Sequence, residues 1–185
     1  VASAQPSYGA IGPSFVNPRT GQILGADITI EWASGSGIPN IDELFNGSAS
    51  IAKQPTELSH TSSNNEEHYK TCTIAQDLKA QFITGMTVAE TTDTGPAEIK
   101  EIHKQFLLYL IMHEMGHTLG LNHNMKSSQM LSPAEINNKE LTRKMGSIGS
   151  VMDYPAINIA LDKTKQGDYY TTRTGPYDLW AIEYG

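Results

Sequence analysis

The chain has 185 residues, which is enough for one domain with a sizeable core, and we interpret residues 1–185 as a single domain. Its formal net charge of −7 argues against nucleic acid as a partner, because phosphate binding requires a basic surface. No apolar run approaches the roughly 20 residues that a membrane-spanning helix needs, so the sequence predicts no membrane span.

The sequence contains one cysteine, Cys72, so an internal disulfide is impossible. Cys72 stands among apolar residues at helical spacing, which favours a buried inert thiol over a metal ligand or a redox site. The chain starts at Val1 and has no basic and then apolar signal segment. We therefore expect it to be a mature form or an excised piece of a longer precursor.

A β-hairpin is predicted for residues 7–32, where "SYGAIGPSFV" and "QILGADITIEW" flank the turn sequence "NPRTG". Ile28 and Ile30 alternate with polar residues, which predicts one apolar and one polar face for the second strand. Residues 33–65 are rich in Ser, Gly, Asn and Pro. They predict a long, partly ordered loop within one domain, and a linker between two domains is the alternative.

Two helices are predicted in the middle of the chain. Apolar residues recur at three- and four-residue spacing from Glu66 to Ile83, which predicts an amphipathic helix that ends near Gly85. The second helix runs from about Ala97 to Leu119, with Pro96 suited to its first turn. Because it is apolar on most sides from Phe106 onward, it is expected to be the buried central helix.

Two shorter helices are predicted after it. In "LSPAEINNKELTRKMG" Ser132 is placed as N-cap and Glu135 at the third position, which is a capping-box pattern, and the helix is expected to end by Gly146. The segment "TGPYDLWAIEYG" predicts a C-terminal helix that starts near Pro176.

Half of the six histidines lie in one short stretch, "LIMHEMGHTLGLNHN", at residues 110–124. His113 and His117 are four apart on the predicted helix, so both imidazoles project from one face. Two ring nitrogens can then reach one zinc ion at about 2.0–2.1 Å. Glu114 follows His113 and can accept a proton from a zinc-activated water. This is the H-E-x-x-H motif.

The next residues extend the motif to H-E-x-x-H-x-x-G-x-x-H. Gly120 can adopt the left-handed conformation that ends a helix, and His123 can then approach the metal from a third direction. Three histidine ligands with an open fourth position are typical of catalytic zinc. The alternatives are histidines that cap carbonyls or pack on aromatic rings, and a zinc site without catalysis. The presence of Glu114 argues against the latter.

These residues, followed by "IGSVMDYP" at 148–155, resemble the metzincin clan of zinc endopeptidases, in which the zinc motif is followed by a methionine-containing turn. The resemblance implies that Met152 forms an apolar floor beneath the three imidazoles. It also implies that Tyr154 stabilises the tetrahedral intermediate, as in the astacin and serralysin branches. A core methionine and a tyrosine that packs against the cleft wall are the alternatives.

The phrases "VNPRTGQILGADITI", "HEMGHTLGLNHNMKSS", "SVMDYP" and "GPYDLWAIEYG" resemble a little-characterised group of bacterial multi-domain zinc-dependent metalloproteases. The resemblance implies an α/β (α+β) metzincin-like zincin fold. In it, a small twisted sheet lies above the cleft in the upper part, about 1–119, and an irregular and helical lower half with the Met-turn covers about 120–185. It also implies a secreted or periplasmic location.

The sequence therefore predicts a zinc metalloendopeptidase with one catalytic Zn²⁺ held by His113, His117 and His123. Glu114 and Tyr154 are the predicted catalytic residues, and an extended peptide or protein segment is the predicted substrate. Two other classes stay open: a zinc hydrolase of a non-peptide amide or ester, and a catalytically silent zinc-binding module. The sequence does not determine the oligomeric state.

Overall fold

The computed structural model describes residues 10–30 and 94–185, together with these helical residues between them: Gln81, Thr84, Gly85, Thr87, Val88 and Thr91. The loop predicted over 33–65, Cys72 and most of the helix predicted from Glu66 lie outside the described residues. Described residues beyond the predicted end near Gly85 are also helical, at Thr87, Val88 and Thr91. Gly85 instead lies against the side chain of Ile157, which indicates a packing role for this glycine. Among the described residues, no helix is both long and apolar enough to cross a membrane.

The predicted hairpin is present, and each of its strands is interrupted once. It consists of β1 (Ala10–Ile11), β2 (Ser14–Val16), β3 (Ile23–Ala26) and β4 (Thr29–Ile30). β1 pairs antiparallel with β4, and β2 pairs antiparallel with β3. Pro13 separates β1 from β2, because proline has no N–H to donate to a strand ladder. At the predicted turn, Gly21 N donates to Asn17 O at 2.8 Å.

The expected apolar and polar faces of the second strand are only partly present. Ile30 packs against the core, and Thr29 beside it is half-buried as well. β3 is exposed along its whole length, so its apolar residues face solvent. The hairpin therefore joins the core through β1 and β4, and Gly12 after β1 lies against the carbonyl of Glu114.

The central helix, α1, spans Pro96–Thr118 with Pro96 in its first turn, close to the bounds that the sequence predicts. As expected, it is buried or half-buried on most sides from Phe106 onward. Its buried residues include Ile102, Tyr109 and His113. Leu108, Ile111 and Met115 are 37%, 40% and 51% exposed, and their three- and four-residue spacing places them on one exposed stripe.

The next helix, α2, spans Lys139–Met145 and ends at Gly146, where the sequence predicts its end. Its predicted start at Ser132 is wrong. The side chain of Asn138 is the N-cap and accepts hydrogen bonds from Glu140 N and Leu141 N at 3.1 and 3.2 Å. The start is thus six residues later than the capping-box pattern indicates.

The hydrogen bonds of the predicted capping box do form, but they close a turn. Ser132 N donates to Glu135 Oε2 at 3.0 Å, and Glu135 N donates to Ser132 Oγ at 3.4 Å. Asn137 Oδ1, further along the same segment, accepts from Gly167 N at 2.9 Å and from Asn158 Nδ2 at 3.0 Å. This tertiary contact ties the segment to a distant loop, which explains why the helix begins only after it.

The C-terminal helix, α3, spans Pro176–Tyr184 and begins at Pro176 as predicted. The core cluster combines one face of α1 with irregular chain between α2 and α3. Its buried members are Ala10, Ile99, Ile102, Phe106, Tyr109, Leu110, Ile148, Val151, Met152, Ile157, Tyr169 and Tyr170. The described residues thus mix helices with small antiparallel sheets, which agrees with the predicted α+β class. The metzincin-like placement of a sheet above a cleft stays a prediction.

Candidate metal centre

Three histidines meet at the C-terminal end of α1. The Nε2 atom of His117 lies 3.1 Å from that of His113 and 3.0 Å from that of His123. One nitrogen from each ring lies within 4.8 Å of the others, which is close enough for all three to bind one metal ion. Two of the rings come from adjacent turns of α1, and the third comes from the irregular segment that follows it.

The other ring nitrogens point to backbone carbonyls. His113 Nδ1 lies 2.7 Å from Val151 O, and His117 Nδ1 lies 3.2 Å from Leu121 O. A carbonyl only accepts, so each Nδ1 carries the proton and donates. The tautomer that leaves Nε2 as the lone-pair nitrogen is therefore fixed in both rings, which is the usual arrangement around metal-binding histidines.

The environment keeps two of these rings neutral. Burial lowers the pKa of His113 to about 3, against a weaker opposing effect of its bond to Val151. Burial, followed by the nearby His123 ring, also lowers the pKa of His117. Histidine binds a metal in its neutral form, so protons do not compete with zinc for these two ligands near pH 7. The donor set therefore fits a zinc ion.

Gly120 turns the chain back toward the cluster after α1. Its φ is +86°, the left-handed region that the sequence predicts for this position. Gly120 N donates to His117 O at 2.9 Å, and Leu121 N donates to Gly116 O at 3.0 Å, so the helix end is closed by hydrogen bonds. His123 follows three residues later and faces the two helical rings.

Met152 lies directly against α1, at a position that stands between the two helical histidines in sequence. Its side chain is 1% exposed, and its sulfur would collide with a Cβ placed on Gly116. Asn124 N donates to Met152 O at 2.9 Å, which ties the residue after His123 to the same turn. The sequence analysis did not identify Gly116 as a site residue. Its signal was a glycine inside a helical pattern, which often marks close approach of another group.

We expect Gly116→Val to lower the free energy of unfolding by about 1–3 kcal/mol, because the new side chain overpacks the space that Met152 fills. Thermal or denaturant unfolding measures the loss. In a Met152→Ala background the same change should cost much less, since the opposing side chain has been removed. Equal costs in the two backgrounds would show that the contact between Gly116 and Met152 does not determine the effect.

A carboxylate of α3 holds the turn at residues 148–155, here called the Met-turn. Asp178 is 3% exposed and accepts from Ser150 Oγ at 2.5 Å, Val151 N at 2.9 Å and Gly175 N at 2.9 Å. Val151 in turn presents the carbonyl that faces His113. Asp178 was absent from the predicted site. Its only sequence signal, an acidic residue in a first helical turn, indicates no contact with a distant loop.

Asp178→Asn should weaken zinc binding about 10- to 100-fold, the usual range for a lost outer partner of a metal ligand. The amide keeps one acceptor oxygen but cannot serve Ser150 and Val151 as the carboxylate does, so the carbonyl that orients His113 is loosened. Competition with a chromophoric chelator measures the affinity. An affinity equal to that of the wild type would mean that Val151 is held without Asp178.

Of the two predicted catalytic residues, Glu114 follows a histidine in sequence, and Tyr154 lies close to one in space. Glu114 is fully buried, next to His113 on α1. The Tyr154 hydroxyl lies 3.1 Å from His123 Nε2, and the Tyr154 ring centroid lies 5.5 Å from that of His113. The structure thus brings Tyr154 and the three histidines together, and their roles remain predictions.

A three-histidine cluster at the end of a helix, followed by a buried methionine turn, defines a zinc-type metal centre in an α+β protein. A family model described as Met-zincin matches residues 95–185, which include α1, the Met-turn and α3. Over these residues the chain is similar to the Met-zincin family, so the resemblance to metzincins is confirmed there. No curated protein and no solved structure matches the chain. The family and the histidine site together imply zinc binding and a function of the zinc metalloprotease type.

Proposed function

We propose that the protein is a zinc-dependent endopeptidase with one Zn²⁺ held by Nε2 of His113, His117 and His123. The observation that carries this proposal is the convergence of the three Nε2 atoms, two of them on neutral rings whose Nδ1 atoms face backbone carbonyls. The match of residues 95–185 to the Met-zincin family supports it as well. A closed structural zinc site has four protein ligands, whereas the described residues contribute only these three histidines to a cluster of this kind.

Zinc, when bound, supplies a Lewis acid that polarises the scissile carbonyl and acidifies a water molecule. Glu114 accepts the proton of the attacking water and returns it to the leaving amine. Tyr154 donates a hydrogen bond to the oxygen that becomes negative in the transition state. The Tyr154 hydroxyl is suited to this role because it lies beside the ring of His123. Tyr154 belongs to the Met-turn and not to α1.

The proposed substrate is a peptide or protein segment in extended conformation, bound by main-chain pairing with an exposed strand edge. A secreted or periplasmic location belongs to the same proposal and rests on the family resemblance. Nucleic acid is not a proposed partner, because the formal net charge of the whole chain is −7.

The test is hydrolysis of a peptide library and a matched panel of esters and non-peptide amides by zinc-loaded protein, with a chelator-treated sample as reference. We expect internal peptide bonds to be cleaved only by the zinc-loaded form. Cleavage confined to the esters or non-peptide amides would favour the alternative hydrolase. Full zinc occupancy with no turnover of either panel would favour a silent zinc-binding module.

A further inference from the structure

His123 and Tyr154 face each other although neither lies on a helix or a strand. His113 and His117 are held by α1, whose backbone fixes their spacing. The third histidine and the tyrosine come from two irregular segments that are 31 residues apart in sequence. Their 3.1 Å approach therefore depends on contacts between those segments.

Asp153, directly before Tyr154, makes those contacts with its carboxylate. The side chain is 3% exposed. Its Oδ2 accepts from Ser127 Oγ at 3.0 Å and from Ser128 N at 2.6 Å, both on the segment that follows His123. Its Oδ1 accepts from Tyr154 N at 2.7 Å. One buried carboxylate thus accepts hydrogen bonds from both segments.

The backbone of Asp153 is fixed to α1 as well. Its carbonyl accepts a hydrogen bond from the hydroxyl of Tyr109, a fully buried residue one turn before His113. The carboxylate and the carbonyl together tie Tyr154 to the helix that carries two ligands and to the loop that follows the third. Because Tyr154 is held from two sides, it loses little further conformational freedom when it acts in a transition state.

We propose that Asp153 is a positioning residue that holds the Tyr154 hydroxyl beside His123. The inference deepens the proposed function and rests on it, because it assigns how the oxyanion donor is placed. Asp153 itself touches neither the metal ligands nor the substrate in this role, and it acts through Tyr154. The zinc ligands have other supports: His113 through Val151 O, His117 through Leu121 O, and the chain after His123 through the bond from Asn124 N to Met152 O.

The experiment is a double-mutant cycle in zinc-loaded full-length chain with wild type, Asp153→Asn, Tyr154→Phe and the double variant. Asparagine matches aspartate in size, but its amide group cannot accept hydrogen bonds on both sides. We expect Asp153→Asn and Tyr154→Phe each to lower kcat by roughly 10- to 10³-fold with KM nearly unchanged. The double variant should be no slower than Tyr154→Phe, within the roughly twofold error of additivity.

Measurement of zinc affinity distinguishes a loss of Tyr154 positioning from a general loosening of the metal site. We expect Asp153→Asn to bind zinc within about threefold of wild type. Asp178→Asn changes an equally buried carboxylate, which holds the same turn from α3, and it should lose about 10- to 100-fold. The proposal is overturned if Asp153→Asn weakens zinc as Asp178→Asn does, if its kcat equals that of wild type, or if its effect multiplies with that of Tyr154→Phe. Should Asp153→Asn fail to fold, Asp153→Ser, which is smaller and neutral, undergoes the same tests.

A crystal structure of zinc-loaded Asp153→Asn gives a readout that needs no activity. We expect the Tyr154 hydroxyl to be displaced from the place that it takes in zinc-loaded wild type, while the three histidines keep their places. A Tyr154 hydroxyl that keeps its wild-type place would overturn the proposal. This readout also distinguishes the two failures: a wild-type protein that binds zinc but cleaves no peptide contradicts the proposed function, and the position of Tyr154 still decides the role of Asp153.

Discussion

Glu114→Gln should retain zinc and fold but lose 10²- to 10⁴-fold in kcat, the typical contribution of a general base. The amide has nearly the same shape as the carboxylate and cannot accept a proton at neutral pH. Glu114 is fully buried beside His113, so a change of size there would disturb packing, which makes glutamine the informative substitution. Steady-state kinetics on a peptide that the wild type cleaves measures the loss, with zinc content matched by metal analysis.

The matched control for this variant is Glu101→Gln on the same helix. The side chain of Glu101 is 45% exposed and pairs with Lys104, 3.6 Å away, so its neutralisation should leave kcat within about twofold, as for most surface changes. Retention of more than about a tenth of the wild-type rate by Glu114→Gln would contradict proton transfer by this residue.

The second large effect is expected when the three histidines His113, His117 and His123 are all replaced by alanine. Stoichiometric zinc should be lost, because the variant has no ligand left in the cluster. The stabilisation that zinc gives the folded state should be lost with it. That stabilisation amounts to about 2.7 kcal/mol when free zinc is a hundred times its Kd. Metal analysis after dialysis and thermal unfolding with and without added zinc measure both losses.

His103→Ala is the control for the histidine variants. His103 lies on α1 ten residues before His113, outside the cluster, and its Nδ1 lies 3.1 Å from Ile99 O. This variant should keep one zinc per chain and the zinc-dependent rise in Tm. A triple variant that still binds one zinc tightly would refute the histidine site, and a control that loses zinc would show that the helix itself had been damaged.

Local signals predicted the helices well where the chain itself supplies the start or the stop. Pro96 begins α1 and Pro176 begins α3, because the N–H that proline lacks would have no partner in the first turn of a helix. Gly120 follows the end of α1, because glycine adopts a positive φ without strain. The same reasoning failed at Ser132, where the capping hydrogen bonds form but the helix does not. There, the contact of Asn137 with a loop distant in sequence outweighs the local pattern.

The sequence by itself determined the metal cluster, because the spacing of His113, His117, Gly120 and His123 needs only helical periodicity and one left-handed turn to bring the rings together. The tertiary structure alone decided what surrounds them. Val151 reaches His113 across 38 residues, and Asp178 reaches Val151 across 27. Such contacts follow from how irregular segments pack on α1, and no periodicity encodes them. For the same reason, the sequence did not indicate the contacts of Asp153 and Asp178, and a glycine inside a helical pattern was the only signal for Gly116.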